Sequence, residues 1–154
     1  VALSPATQQS GCMRFVAGSH KRSIVAHVDT FAEDNMLSRG QEIAVEVDES
    51  EATDVVLRPG QVSLHHGHLF HASNPNQSDD RRIGFAIRLI DTSMAMPGGG
   101  GLAVLSVSGE DRYSHFQLAT PPSERLQEVD FERVRRNGAI SRSILMRGVE
   151  SNLT

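Results

Sequence analysis

Apolar and polar positions alternate in short runs over most of the chain, and turns bearing glycine or proline separate the runs. Val1-Ala2-Leu3 and Cys12 to Val16 read as short strands around a polar turn, Ser4 to Gly11. Gly18 to Ser23 is a loop by composition. Ser23 to Gly40 has no clear periodicity and reads as an ordered loop with some helical turn. Ile43 to Val47 alternates as a half-buried strand does, and Asp48 to Thr53 is an acidic turn. Val55 to Leu57 is a strand stopped by Pro59-Gly60, and Gln61 to His66 is the next, with Gly67 inviting a bulge. After the turn Asn74-Pro75-Asn76, Ile83 to Ile90 reads as a long strand. A glycine-rich crossing follows Pro97, and Leu102 to Val107 with Arg112 to Phe116 suits a late hairpin around Gly109. From Ser123 the period becomes helical, with Ser123 as N-cap and Leu126, Val129, Val134 and Ile140 marking a stripe. Short strands followed by one late helix predict a mainly β architecture, a sandwich or jelly roll.

Composition narrows this. A chain of 154 residues is one domain's worth, yet it is only 38% apolar and 5% aromatic, with no Trp, which is lean for an enzyme core. The net charge of −4 provides no electrostatic reason to expect nucleic acid as a partner. Cys12 is the sole cysteine, so no internal disulfide forms, and a reducing, cytoplasmic setting is expected. No apolar run approaches the roughly 18 residues of a membrane span, so no membrane partner is expected. The chain opens on Val1-Ala2-Leu3, in apparent strand and without an initiator Met, which reads as a start inside a domain and hence as a fragment.

The candidate chemistry is concentrated between Pro59 and Arg82. His65, His66, His68 and His71 place four of the seven histidines within seven positions, and Arg81-Arg82 follows. Neutral imidazole is the commonest protein ligand for iron, zinc and copper, and a guanidinium clamps a carboxylate through parallel hydrogen bonds. Together they point to a metalloenzyme with an acidic co-substrate. On the strand that follows, Arg82, Gly84, Ala86 and Arg88 share one face, and the small residues there leave room for a ligand. The bland alternatives are a hydrogen-bonded strand histidine and solvated arginines.

Two segments carry a family resemblance. Ser10-Gly11-Cys12-Met13-Arg14-Phe15-Val16-Ala17-Gly18-Ser19-His20 is one; the stretch from Pro59 to Arg82, with His71, Ser73, Asn76 and Arg82, is the other. Over roughly residues 1 to 93 the chain resembles the phytanoyl-CoA dioxygenase family of Fe(II)- and 2-oxoglutarate-dependent oxygenases, with Ala17 and Ala72 as mild departures. The resemblance implies a double-stranded β-helix (jelly roll), here incomplete at the N-terminus. It implies His71 as the distal iron ligand, Arg82 on the far carboxylate of 2-oxoglutarate, and Ser73 adding a hydrogen bond to it. Residues 1–120 would then be the C-terminal part of the oxygenase domain, and 121–154 a helical segment and tail. The cofactors implied are Fe(II) and 2-oxoglutarate. The implied reactants are molecular oxygen and a small organic substrate, hydroxylated at an unactivated C–H bond.

In that family a His-x-Asp pair precedes the Gly-Ser-His segment, so two of the three iron ligands are expected to lie before residue 1, and the isolated fragment to be inactive. His27-Val28-Asp29 has the same spelling but follows the segment. His27 and Asp29 are therefore expected in a loop at the active-site mouth, where Asn35 and Arg39 join them in substrate contacts or a polar network. Gly60 to His68 also mimics a cupin motif, but Ala72 and Ser73 stand where its glutamate would be needed. A related non-haem iron halogenase and a non-catalytic β-sandwich binding module remain as alternatives.

Overall fold

The computed structural model describes residues 1–31, 39–97 and 101–147. The chain divides into two compact units, Val1–Ile87 and Arg88–Thr154. Among the described residues the architecture is mainly β: seven short strands in small sheets, followed by one long helix near the C-terminus.

In the first unit, strand β1 (Met13–Val16) runs between β4 (Ala52–Val55) and β5 (His71–Ser73), antiparallel to both. Strands β2 (His27–Asp29) and β3 (Gln41–Ile43) make a separate antiparallel pair. The N-terminal segment is an additional partner. Ala2 bridges Gly84, Ala6 bridges Leu57, and Ala2 N–H donates to the Gln61 carbonyl at 2.9 Å.

The residues buried in this unit are small. Ala2, Ala6 and Cys12 are covered, together with Phe70, Ser10 and Ser19. Burial pushes the Cys12 thiol above its ordinary value, with Asp54 adding to the effect, so Cys12 stays a protonated core residue. Ser10 knots the turn before β1: its hydroxyl accepts the Thr7 N–H at 2.9 Å and donates to the Pro5 carbonyl at 3.2 Å. Gly11 closes that turn at φ 70°, and a Cβ placed there would lie 2.3 Å from the Asn74 carbonyl oxygen. Glycine is thus required twice at this position, for its backbone angle and for the close approach.

Several sequence expectations are corrected. The segment read as loop from Ser23 to Gly40 contains β2, because His27–Asp29 finds a ladder partner in Gln41–Ile43. The strand expected over Ile43 to Val47 ends at Ile43. Gln61 to His66 and Ile83 to Ile90 carry strand-like alternation without forming strands. Among the described residues their only bridge is Gly84 to Ala2, and Leu64 is 90% exposed. Alternation reports which face a side chain prefers, whereas a strand also needs a neighbouring backbone to bond.

In the second unit, β6 (Ala103–Val104) and β7 (Gln117–Leu118) pair in parallel, not as the expected hairpin. Helix α1 spans Glu128–Leu145. Its start lies later than a Ser123 cap would place it, because Leu126 sits at φ 46° and cannot be helical. Asp130 instead gathers the preceding turn: its carboxylate accepts from Ser123 Oγ at 2.5 Å and from Gln127 N–H at 2.9 Å. Asn137 holds Ala103 through two hydrogen bonds, at 2.9 and 3.3 Å. Among the described residues no helix is long and apolar enough to cross a membrane.

The Ser123 hydroxyl, helped by the backbone N–H groups of Ser123 and Gln127, holds the Asp130 carboxyl below its ordinary value of 3.8. A depressed carboxylate stabilises the fold above its unfolded value, and that contribution is lost as pH falls through the lower folded value. Helicity of α1 is therefore expected to fall as pH drops below 3.8. In Asp130→Asn, circular dichroism is expected to show lower helicity at neutral pH and a flatter acid dependence.

Candidate active site

The register of the three-stranded sheet decides which side chains share a face. Thr53, Phe15 and His71 form one row across it, and Val55, Met13 and Ser73 form the next. Cross-strand partners point to the same side, so His71 and Ser73 stand together beside Phe15 and Met13. The intervening row, Asp54, Arg14 and Ala72, faces the other way. There Arg14 bonds Glu49 at 2.7 Å and Asp54 at 3.1 Å, tying β1 to β4 and to the turn before it.

His71 is exposed, and its ring is hydrogen-bonded at Nδ1. Nδ1 lies 2.8 Å from the Leu69 carbonyl oxygen. A carbonyl only accepts, so the neutral ring carries its proton on Nδ1 and presents a lone pair at Nε2. This is how metal-binding histidines are held in place, with the far ring nitrogen bonded to a backbone carbonyl. His66 is the reverse. Its Nδ1 accepts the His68 backbone N–H at 3.1 Å, which leaves the proton on Nε2.

The backbone that carries His71 is anchored by Ser19. Its hydroxyl donates to the Val16 carbonyl at 2.8 Å and accepts the Phe70 N–H at 2.8 Å. Ser19 is 6% exposed and Phe70 8%, so the link is dry. The Phe70 N–H shares its peptide unit with the Leu69 carbonyl, so Ser19 also fixes the group that orients the ring, while Leu69 N–H donates to the His66 carbonyl at 3.0 Å. Sequence reading treated Ser19 only as part of a motif. A hydroxyl straight after the left-handed Gly18, at the end of β1, is the signal that marks it.

Arg82 is half-buried, and its Nη2 donates to Ser73 Oγ at 3.4 Å. The guanidinium is thus brought to the same sheet face as His71, one row further on. His27 and Asp29 lie on β2 and not in a loop. Arg39 bonds Asp29 Oδ2 through Nε at 3.1 Å and Nη2 at 2.5 Å, and holds its carboxyl below the ordinary range. Asn35 falls outside the described residues. Among the described residues no three His, Cys, Asp or Glu side chains are grouped closely enough to hold a metal ion.

A family model described as Phytanoyl-CoA dioxygenase (PhyH) matches residues 1–84. The chain is 29% identical over 82 residues to the dioxygenase lolE1 of Epichloe uncinata, covering 53% of this chain and 28% of that protein. It resembles the solved structure of a non-heme monooxygenase, ThoJ in its apo form, with a TM-score of 0.75 and 35% sequence identity. That likeness covers 95% of this chain and 53% of the other, so the chain spans about half the length of its structural neighbour.

Replacing Ser19 by Ala would leave the buried Phe70 N–H unpaired, at a cost of about 1–3 kcal/mol. Denaturant unfolding of Ser19→Ala is expected to report that loss. Hydrogen exchange is expected to accelerate most at the Phe70 amide.

Proposed function

Since the chain belongs to the phytanoyl-CoA dioxygenase family, as its match over residues 1–84 shows, we propose that it forms the C-terminal part of an Fe(II)- and 2-oxoglutarate-dependent oxygenase domain of the jelly-roll type. One observation carries this reading. A single sheet face presents an imidazole with a committed Nε2 lone pair and, one row away, a guanidinium beside a hydroxyl. Two residues along a strand span about 6.7 Å. That offset separates the His71 row from the Ser73 row, so a short dicarboxylate lying along the strand could meet both.

The residues fit the implied group as one ligand and one anchor, and further ligands come from outside the described residues. His71 Nε2 would donate its lone pair to the iron. Arg82 would take the distal carboxylate in a two-point clamp, with Ser73 Oγ donating a third hydrogen bond. Bound Fe(II), with 2-oxoglutarate and O₂, would supply the oxidising power for hydroxylating an unactivated C–H bond of a small organic molecule. The chain's own share is orientation: it holds the imidazole tautomer, brings the guanidinium to Ser73 and sets Phe15 and Met13 beside His71 and Ser73 on the same face. The dioxygenase and monooxygenase named among its relatives favour an oxygenase over a binding module.

Anaerobic calorimetric titration with Fe(II) in the presence of 2-oxoglutarate tests the ligand assignment. The 154-residue chain is expected to bind iron weakly, because one histidine cannot hold Fe(II) against water. His27→Ala is expected to change nothing. Tight binding lost in both His27→Ala and His71→Ala would move the metal to His27, Asp29 and His71 and overturn the assignment.

A second experiment tests the clamp in the protein extended upstream to a complete site. Lysine provides a point charge where arginine offers a fork. Arg82→Lys is expected to raise the 2-oxoglutarate requirement about ten- to a hundredfold, the cost of losing a charge-assisted bond. The requirement for the prime substrate should move far less, and equal effects on both would refute the clamp.

A further inference from the structure

Three aromatic rings meet on the site face. Phe15 is the direct cross-strand partner of His71, and their ring centroids lie 6.3 Å apart at 74°, edge to face. His65 approaches from the segment before β5. Its ring lies 4.6 Å from Phe15 and 6.0 Å from His71. All three separations fall within the 4.5–7 Å range in which aromatic pairs attract. His65 is exposed and has no place in the ligand or anchor roles assigned above.

We propose that Phe15 and His65 are positioning residues for His71: together they hold its ring plane so that Nδ1 stays on the Leu69 carbonyl and Nε2 stays presented on the site face.

The argument is geometric. A hydrogen bond from Nδ1 restrains the outer torsion of the side chain but leaves the ring free to pivot about the bond. In an exposed side chain water competes for that N–H, and the neutral ring then exchanges its proton between the two nitrogens. Two ring contacts, at interplanar angles of 74° and 51° to the His71 ring, oppose the pivot. Phe15 contributes from the neighbouring strand, where the register fixes it. His65 leans on Phe15 and reaches His71 from the segment before β5. The contact needs a flat ring at position 65, not a titrating one, so phenylalanine should replace histidine there. The other imidazoles do not share this task. His66 and His68 pack on each other at 5.0 Å, and His20 packs on His66 at 5.6 Å, forming a separate group.

This proposal rests on the reading of His71 as a ligand, but its test needs no metal. The 154-residue chain, with ¹⁵N-labelled histidine, is studied by long-range ¹H–¹⁵N correlation at a pH where the imidazoles are neutral. The spectrum reads the tautomer of each ring separately. In the wild type, His71 should be mostly the Nδ1–H form. In His65→Ala and in Phe15→Leu, the minor His71 tautomer should rise by about two- to tenfold, the range an aromatic pair contributes. His65→Phe should restore the wild-type ratio. The His66 tautomer, held by the His68 amide, should stay constant in all three variants and serves as the internal check on folding.

An unchanged His71 tautomer in both His65→Ala and Phe15→Leu, with the His66 signal intact, would overturn the proposal. So would a shift in His65→Ala that His65→Phe fails to reverse. The iron reading fails separately. If the tautomer responds as described but the upstream-extended protein binds Fe(II) no worse after His71→Ala, the ring trio stands and the ligand assignment falls.

Discussion

The register of β1 against its two neighbours governs the candidate site. Met13 opposite Ser73 and Phe15 opposite His71 put a potential ligand and a potential anchor point on one side of a sheet. A slip of one residue would send both to the side now held by Arg14 and Asp54. The register is specified from both faces. On one, Arg14 reaches Asp54 and Glu49 at once, which fixes β4. On the other edge, the Ser19 hydroxyl joins the end of β1 to the start of β5, and Gly11 allows the loop after β5 to close down on the turn before β1. Each pin is small, and none relies on a large apolar core. The buried side chains of this unit are mostly alanine, serine and cysteine, with Phe70 as the one bulky exception among those covered.

That economy explains what could be read from the sequence. The turns were legible, because glycine and proline impose backbone angles without help. Pro59-Gly60 forms the expected turn, with Gly60 at φ 85° and Gln61 N–H closing on the Arg58 carbonyl. The strand Cys12 to Val16 was legible within a residue, since its neighbours on both sides exist. The segments Gln61 to His66 and Ile83 to Ile90 were not, since nothing in their own alternation says whether a second backbone runs beside them. The pair β2–β3 was missed for the converse reason. Asp29 and Arg39 bond across its end, a contact between residues ten apart that no local period encodes.

The family was readable from motifs: the glycine and serine before His20, and the spacing from His71 through Ser73 to Arg82. The match over residues 1–84 bears that resemblance out. Less visible were the residues that serve the motif. Ser19 was part of a spelling until its hydroxyl was seen between two strands. His65 was one of several histidines until its ring was seen against Phe15. Side chains that support a site betray little in sequence, because what qualifies them is position relative to a neighbour.

The contrast between His66 and His71 bears on how such a surface treats stray metal ions. A stretch so rich in imidazole would be expected to scavenge copper, nickel or zinc without discrimination. Here the backbone has already sorted the rings. At His66 an amide occupies Nδ1 and the outward nitrogen bears a proton; at His71 a carbonyl occupies Nδ1 and the outward nitrogen is bare. At the outward nitrogen of the first ring an incoming cation would meet a proton, and at that of the second a lone pair. Two main-chain groups, one donor and one acceptor, thus decide which nitrogen each of these two rings turns outward as a lone pair and which as an N–H.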